Sequence, residues 1–149
     1  MEKDVIIIGG GAAGFFAAIN IAILNSSLNI LILERGSEGL QKVRISGGGR
    51  CNLTHAEFIP SDLTASYPRG KKELLGPFHQ FMTVDTMKWF EDRGIELKTE
   101  DDGRVFPISN SSQTIVDCFL NEAKKLNIQV LYNHSVKDIS KHKNTWLLR

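Results

Sequence analysis

The chain has 149 residues, 42% of them hydrophobic and 23% charged, with a formal net charge of +1; this is the make-up of one ordinary soluble domain with enough apolar side chain to build a core. Near-neutrality argues against the strong field that draws nucleic acid or an anionic membrane surface, so no nucleic acid and no membrane is expected as partner. Cys51 and Cys118 lie far apart and His55, His79, His134 and His142 are scattered, which excludes a zinc spacing or a disulfide framework and points to no metal and a reducing cytoplasm.

Residues 4–8 form a continuous apolar, β-branched run that stops at glycine, as a strand buried on both faces does. Its VIII core is far short of the roughly 20 residues of a membrane span, and no charged segment precedes it, so neither a signal peptide nor a transmembrane helix is expected. From Ala12 to about Leu24 the chain turns to Ala, Phe, Ile and Leu, and Asn25 with two serines closes it as a helix C-terminus. A second β-run, 29–33, ends at Glu34, which makes a right-handed βαβ unit the default. From there to Pro77 the glycines and the YPRGKK segment predict loop. Thr83 is the expected N-cap of a helix carrying Val84, Met87 and Phe90, with Gly94 as its left-handed end. Residues 95–99 and 104–106, around EDDG, predict a small hairpin. Asn110 with Gln113 predicts a capping box for a helix whose apolar stripe is Val116, Phe119, Leu120, Ala123 and Leu126. A core strand at 128–132 and a hairpin of 135–139 with 145–148 complete the chain.

Gly9, Gly11 and Gly14 make GxGxxG between a buried strand and a helix. That pattern supplies a tight turn, close backbone approach to a pyrophosphate and close helix-to-strand packing, with the helix N-terminus facing the phosphates. The motif alone is weak. Glu34, about 20 residues on, strengthens it, because a carboxylate there can accept hydrogen bonds from a ribose diol. The same carboxylate argues against a 2'-phosphate, so the ligand is NAD-like or FAD-like and not NADP. Arg35 either flanks an adenine or is a solvated surface arginine.

SGGGR at 46–50 is not bracketed by a strand and helix of the lengths a second mononucleotide unit needs. Three glycines let the main chain pass close to a flat ligand, and Arg50 adds a fixed positive charge. In an FAD enzyme this suits the pyrophosphate or the flavin ring; the alternative is a flexible turn.

Together, DVIIIGGGAAG (4–14), Glu34 with Arg35, KVRISGGGRCNLTH (42–55), YPRG (67–70), GPFHQF (76–81) and GRVFPISNSSQTIVD (103–117) resemble the BaiN/HI0933-like flavoproteins, known as NAD(P)/FAD-dependent oxidoreductases. The SGGGRCN block is the specific one. The resemblance implies an α/β fold of the Rossmann-like FAD/NAD(P)-binding type, a parallel sheet with helices, incomplete here and entering an antiparallel β-meander at its C-terminal end. It implies FAD as cofactor, with NAD(P)H as a candidate electron donor or acceptor. The implied reaction moves hydride between a small organic substrate and flavin, then to oxygen or a nicotinamide. Gly9, Gly11, Ala12, Gly14, Glu34 and Arg35 are implied to hold the ADP half. Ser46, Gly47, Gly48, Gly49, Arg50, Cys51 and Asn52 are implied to line the flavin, with Thr54 nearby, and Val136 to offer a backbone contact to adenine. Members are roughly two to three times longer, more than one ordinary domain. The chain therefore reads as an N-terminal portion: a βαβ unit at 1–34, a flavin-loop and helix/hairpin insertion at 35–110, and a return to the core sheet at 111–149.

Beside these, Cys51 has no second cysteine near it and reads as a small packing residue rather than a redox group. His55 and His79 are candidate proton donors or ordinary surface histidines, and no residue earns a catalytic role. Trp89 and Phe90 read as core, and Arg69, Lys71 and Lys72 as a solvated loop. Two other functions stay open: a dehydrogenase using NAD directly at GxGxxG, and a non-catalytic nucleotide-binding or interaction module whose sheet edge pairs with another chain.

Overall fold

The first apolar run forms β1, Val5–Ile8, in the computed structural model, which describes residues 2–149. After the glycine turn comes α1, Ala12–Leu24, and then β2, Ile30–Leu33. β1 and β2 pair in parallel from Val5 opposite Ile30 to Ile8 opposite Leu33. On its other side β2 pairs in parallel with β6, Gln129–Leu131, giving the order β1-β2-β6. As the central strand, β2 buries Ile30, Leu31 and Ile32, which is why its sequence does not alternate. α1 buries Phe15, Ala18, Ile19 and Ala22, spaced as one helical face. Its end is where the sequence placed it: Asn25 donates its backbone N–H to the Ile21 carbonyl, and its side chain accepts from Ser27.

These elements belong to one of two compact units, made of the chain up to Val43 together with Phe119–Arg149. Within it, the rings of Phe15 and Phe119 lie 6.2 Å apart. The terminal hairpin is β7, Ile139–His142, with β8, Thr145–Leu148. Its first strand begins where the sequence reading ended it. Lys143, with φ of 53°, makes a tight turn that pairs His142 directly with Thr145, so the ladder is counted back from that turn.

The second unit is Arg44–Cys118. Its sheet is antiparallel in the order β3-β5-β4, with β3 at Thr54–His55, β4 at Leu97–Thr99 and β5 at Arg104–Pro107. The hairpin around EDDG is thus present, and Gly103 takes φ of 82° in its turn. The stretch expected to be loop instead holds short helices: α2 at Gln41–Ile45, a 3-10 turn at Ser46–Gly49, α3 at Pro60–Ala65 and α4 at Lys71–Phe78. Pro60 stands in the first turn of α3, where its missing N–H costs nothing, so this proline opens a helix rather than excluding one.

Two expected caps are corrected. α5, Thr83–Glu91, is capped at Met82, whose N–H is accepted by Asp85 at 2.7 Å, while the Thr83 hydroxyl donates to the Glu57 carbonyl. At the start of α6, Ser112–Lys125, the Ser111 hydroxyl accepts from the Gln113 N–H. Asn110 has φ of 52° and makes no box with Gln113, whose side chain bonds Arg44 and Asp117. Gly94 does take the left-handed position after α5, with φ of 77°.

Candidate functional site

The first glycine turn lies in the unit built on β1, β2 and β6, and its glycines differ in what they do. Gly9 has φ of 107° and donates to the Leu33 carbonyl at 2.8 Å, turning the chain out of β1. At Gly14 a Cβ would stand 2.1 Å from the Gly9 carbonyl oxygen. That glycine is required by helix-to-strand packing inside the protein. Gly11 is the opposite case. It caps α1 in an extended conformation open to any residue, and a Cβ there meets nothing within 4 Å. Neither backbone nor packing calls for glycine at 11; the space beside it is open at a helix N-terminus, where backbone N–H groups and the helix dipole favour an anion.

Glu34 follows β2 and closes this turn. One carboxylate oxygen accepts from Gly36 N–H and the other from Gly10 N–H, each at 2.7 Å. Those two bonds, Gly36 first, hold its pKa below the ordinary carboxylate value, so it is anionic at neutral pH. The following segment is tied down as well: Leu40, buried and with φ of 61°, donates to the Gly10 carbonyl at 2.8 Å. Two cavities flank the turn. One, of about 380 Å³, is lined by Gly10, Gly11, Ala12, Glu34, Arg35 and the segment through Lys42 and Val43. The other, of about 240 Å³, is lined by Gly9, Glu34, Arg35, His134, Ser135 and Val136. A larger cleft of about 720 Å³ runs along Ile6, Ile8, Ile139 and Trp146, and neither glycine loop lines it.

The second glycine loop lies in the other unit and is built differently. Gly47, Gly48 and Gly49 have φ of 56°, 68° and 85°, and Cys51, of all residues, has φ of 61°. Cys51 donates its backbone N–H to the Ser46 carbonyl at 3.0 Å, closing the turn. A Cβ at Gly47 would stand 2.7 Å from the Asn52 nitrogen and 3.0 Å from the Phe106 ring, whereas one at Gly48 meets nothing within 4 Å. The fully buried Phe106 is therefore the floor of the loop. Arg50 lies over that ring, 4.0 Å from its centroid, and pairs with Glu100 at 2.6 Å. The Cys51 thiol is buried and free, and burial pushes its pKa up, which makes it a poor nucleophile.

Around the first turn, then, the structure gathers Gly9, Gly11, Ala12, Glu34, Arg35 and Val136, while Gly14 serves packing behind it. In the other unit Ser46 to Asn52 form one continuous loop, and Thr54 lies on β3 opposite Val105. The His55 ring rests against Gly103, and His79 stands exposed at the end of α4. Sequence reasoning missed Leu40, Lys42, His134 and Ser135 at the cavities, and Glu100 and Phe106 at the second loop. For Glu100 the only available signal was its place in a turn rich in acids, 50 residues from Arg50. Among the described residues no cluster of His, Cys, Asp and Glu is arranged to hold a metal ion, and no helix is long and apolar enough to cross a membrane.

A family model described as the HI0933-like protein Rossmann domain matches residues 3–148. The chain belongs to this family. It is 30% identical over 149 residues to the ribosomal RNA dihydrouridine synthase of Escherichia coli (strain K12), covering 99% of this chain and 36% of the relative. Over 124 residues it is 28% identical to the 3-dehydro-bile acid delta(4,6)-reductase of Clostridium scindens, covering 83% of this chain and 29% of the relative. The HI0933-like chain thus spans about a third of the length of these curated relatives. Among solved structures it is similar to the 3-ketosteroid-delta4-(5alpha)-dehydrogenase of Rhodococcus jostii RHA1, with a TM-score of 0.69 at 16% identity over 98% of this chain and 43% of that one. A flavocytochrome c3 fumarate reductase gives a TM-score of 0.68 at 20% identity over 95% and 28%. These likenesses establish the Rossmann fold, and the proteins named are oxidoreductases.

Proposed function

We propose that this chain is the FAD-binding module of an oxidoreductase, with the ADP half of the cofactor at the first glycine turn and the redox ring at the second loop. The observation that carries this is Gly11: a glycine that neither backbone nor packing requires, beside open space at a helix N-terminus, fits a ligand that must approach the main chain closely. Glu34, held anionic by Gly36 and Gly10, has lone pairs left to accept from a ribose diol, and repels a 2'-phosphate. Arg35 and Val136 line the neighbouring cavity, of a size suited to a base rather than to a whole dinucleotide. Bound FAD supplies the two-electron chemistry. The protein's part is to bind, orient and set the local charge, the last through Arg50 and its partner Glu100.

The names of the curated relatives narrow the substrate. A dihydrouridine synthase and a delta(4,6)-reductase of a 3-dehydro-bile acid share one transformation, the saturation of a carbon–carbon double bond conjugated to a carbonyl. We assign the intact protein to that class, acting on a small organic substrate, with a nicotinamide or oxygen as the other electron partner. A second reading, a uracil base within RNA, is favoured by the 30% identity to the Escherichia coli relative over the whole of this chain. The test is to purify the full-length protein, reduce it anaerobically with NADH or NADPH, and follow the visible spectrum as unsaturated carbonyl compounds or ribosomal RNA are added. A bound flavin reoxidised by an enone supports the first reading, and one reoxidised only by RNA supports the second. A colourless protein that binds NAD at the glycine turn overturns both.

A further inference from the structure

Arg50 brings a fixed positive charge to the second loop, and its guanidinium is engaged on two sides. It donates to Glu100 at 2.6 Å and lies over the Phe106 ring at 4.0 Å. The other oxygen of Glu100 is 3.4 Å from Arg104, which is itself held by Asp102 at 2.7 Å and lies 5.4 Å from the same ring. Arg50 and Glu100 are 34% and 28% exposed, so the pair is half-buried rather than fully solvated. The loop it anchors needs anchoring: four of its residues have positive φ, and one of them, Cys51, carries a side chain. Phe106 is fully buried and fixed in β5, so Arg50 is oriented by a rigid ring below and a carboxylate beside it.

We infer that Glu100 is the positioning residue of the second glycine loop, fixing Arg50 on Phe106 so that the loop keeps its shape before any cofactor arrives, and offsetting the Arg50 charge at that place. The first half concerns the protein alone. The second half rests on the proposed meeting of this loop with the redox ring. There, Arg50 favours the reduced cofactor, which carries more negative charge, and Glu100 opposes it. The potential is then set by the pair rather than by Arg50.

Two measurements on full-length protein separate the halves. The first is amide hydrogen exchange across residues 46–52 in flavin-free wild type, Glu100→Gln, Arg50→Met and the double variant, with far-UV circular dichroism confirming that each is folded. Either single change should speed exchange by about tenfold or more, about tenfold being equivalent to about 1.4 kcal/mol, and the double variant should exchange no faster than Arg50→Met, which already removes the Glu100 pair together with the Phe106 contact. A Glu100→Gln loop that exchanges at the wild-type rate overturns the positioning role. The second is the flavin midpoint potential of the same set. Glu100→Gln should raise it and Arg50→Met lower it, by about 30 mV for each tenfold change in the two-electron equilibrium, and the double variant should return toward wild type. Faster exchange with potentials unmoved in all three variants upholds the positioning role and removes the redox ring from this loop. A shift in Arg50→Met with none in Glu100→Gln overturns the charge offset.

Discussion

Replacing Gly14 with alanine adds a single methyl group in the first turn of α1, 2.1 Å from the Gly9 carbonyl oxygen, 3.3 Å from its carbon and 3.4 Å from the Ile7 side chain. The oxygen cannot rotate away, because it belongs to the backbone that leaves β1, so helix and strand must part by about 1 Å; overpacking of this kind costs about 1–3 kcal/mol or more. Alanine returns up to about 1 kcal/mol through its helix propensity. The net expectation is a loss of about 2 kcal/mol, or about 4–8 °C in Tm for a chain of this size. Thermal unfolding followed by circular dichroism reads this directly, with Gly11→Ala as its partner. That methyl group meets nothing within 4 Å, and its cost is confined to a poorer N-cap, less than about 1 kcal/mol. A Gly14→Ala protein that melts at or above wild type refutes the packing role of this glycine. So does a Gly11→Ala protein that loses as much.

Glu34→Gln should destabilise the fold by about 1–2 kcal/mol at neutral pH, because an amide can accept from only one of the Gly10 and Gly36 N–H groups and turns its NH2 on the other. The pH dependence has a definite sign. The folded-state pKa of Glu34 is lowered, so its contribution is complete above the unfolded value and is lost as pH falls through the folded one. Urea melts of Glu34→Gln should therefore lose less stability than wild type on acidification, and parallel curves would remove Glu34 from the account. Gly47→Ala should cost about 1–2 kcal/mol for the left-handed backbone, with a further cost from the 2.7 Å approach to the Asn52 nitrogen. An unchanged Tm would mean that the loop relaxes freely.

What the sequence revealed was local. A β-branched run ending in glycine, an apolar helix closed by Asn25 and a second buried run leave one economical arrangement, so β1, α1, β2 and the place of Glu34 were all legible. The short helices between 41 and 78 were not, because segments of five to eight residues make too few hydrogen bonds to hold themselves and are set by what they pack on. Asn110 and Thr83 show the same limit at single positions. Both are good N-cap types, but Asn110 was taken by a left-handed turn and Thr83 by a bond to Glu57. At the candidate site, the glycines and Arg50 were visible as motif, whereas Glu100 and Phe106 reach the loop only through the pairing of β5 with β3 and β4. The clamp that Glu34 makes on the Gly10 and Gly36 N–H groups was also hidden, since a carboxylate held by backbone and one left for a ligand look alike in one dimension.

The most direct test of the central claim is the flavin content of full-length protein carrying Gly11→Val, read by visible absorbance beside wild type, with thermal unfolding measured on the cofactor-free form of each. The backbone at Gly11 is one that valine adopts, and the space beside it is open, so the variant should fold with a Tm close to wild type. Its side chain should fill the approach to the diphosphate, and the protein should emerge colourless while wild type carries FAD. A folded Gly11→Val protein with full wild-type FAD occupancy would contradict the account, because the dinucleotide would then lie somewhere other than this turn.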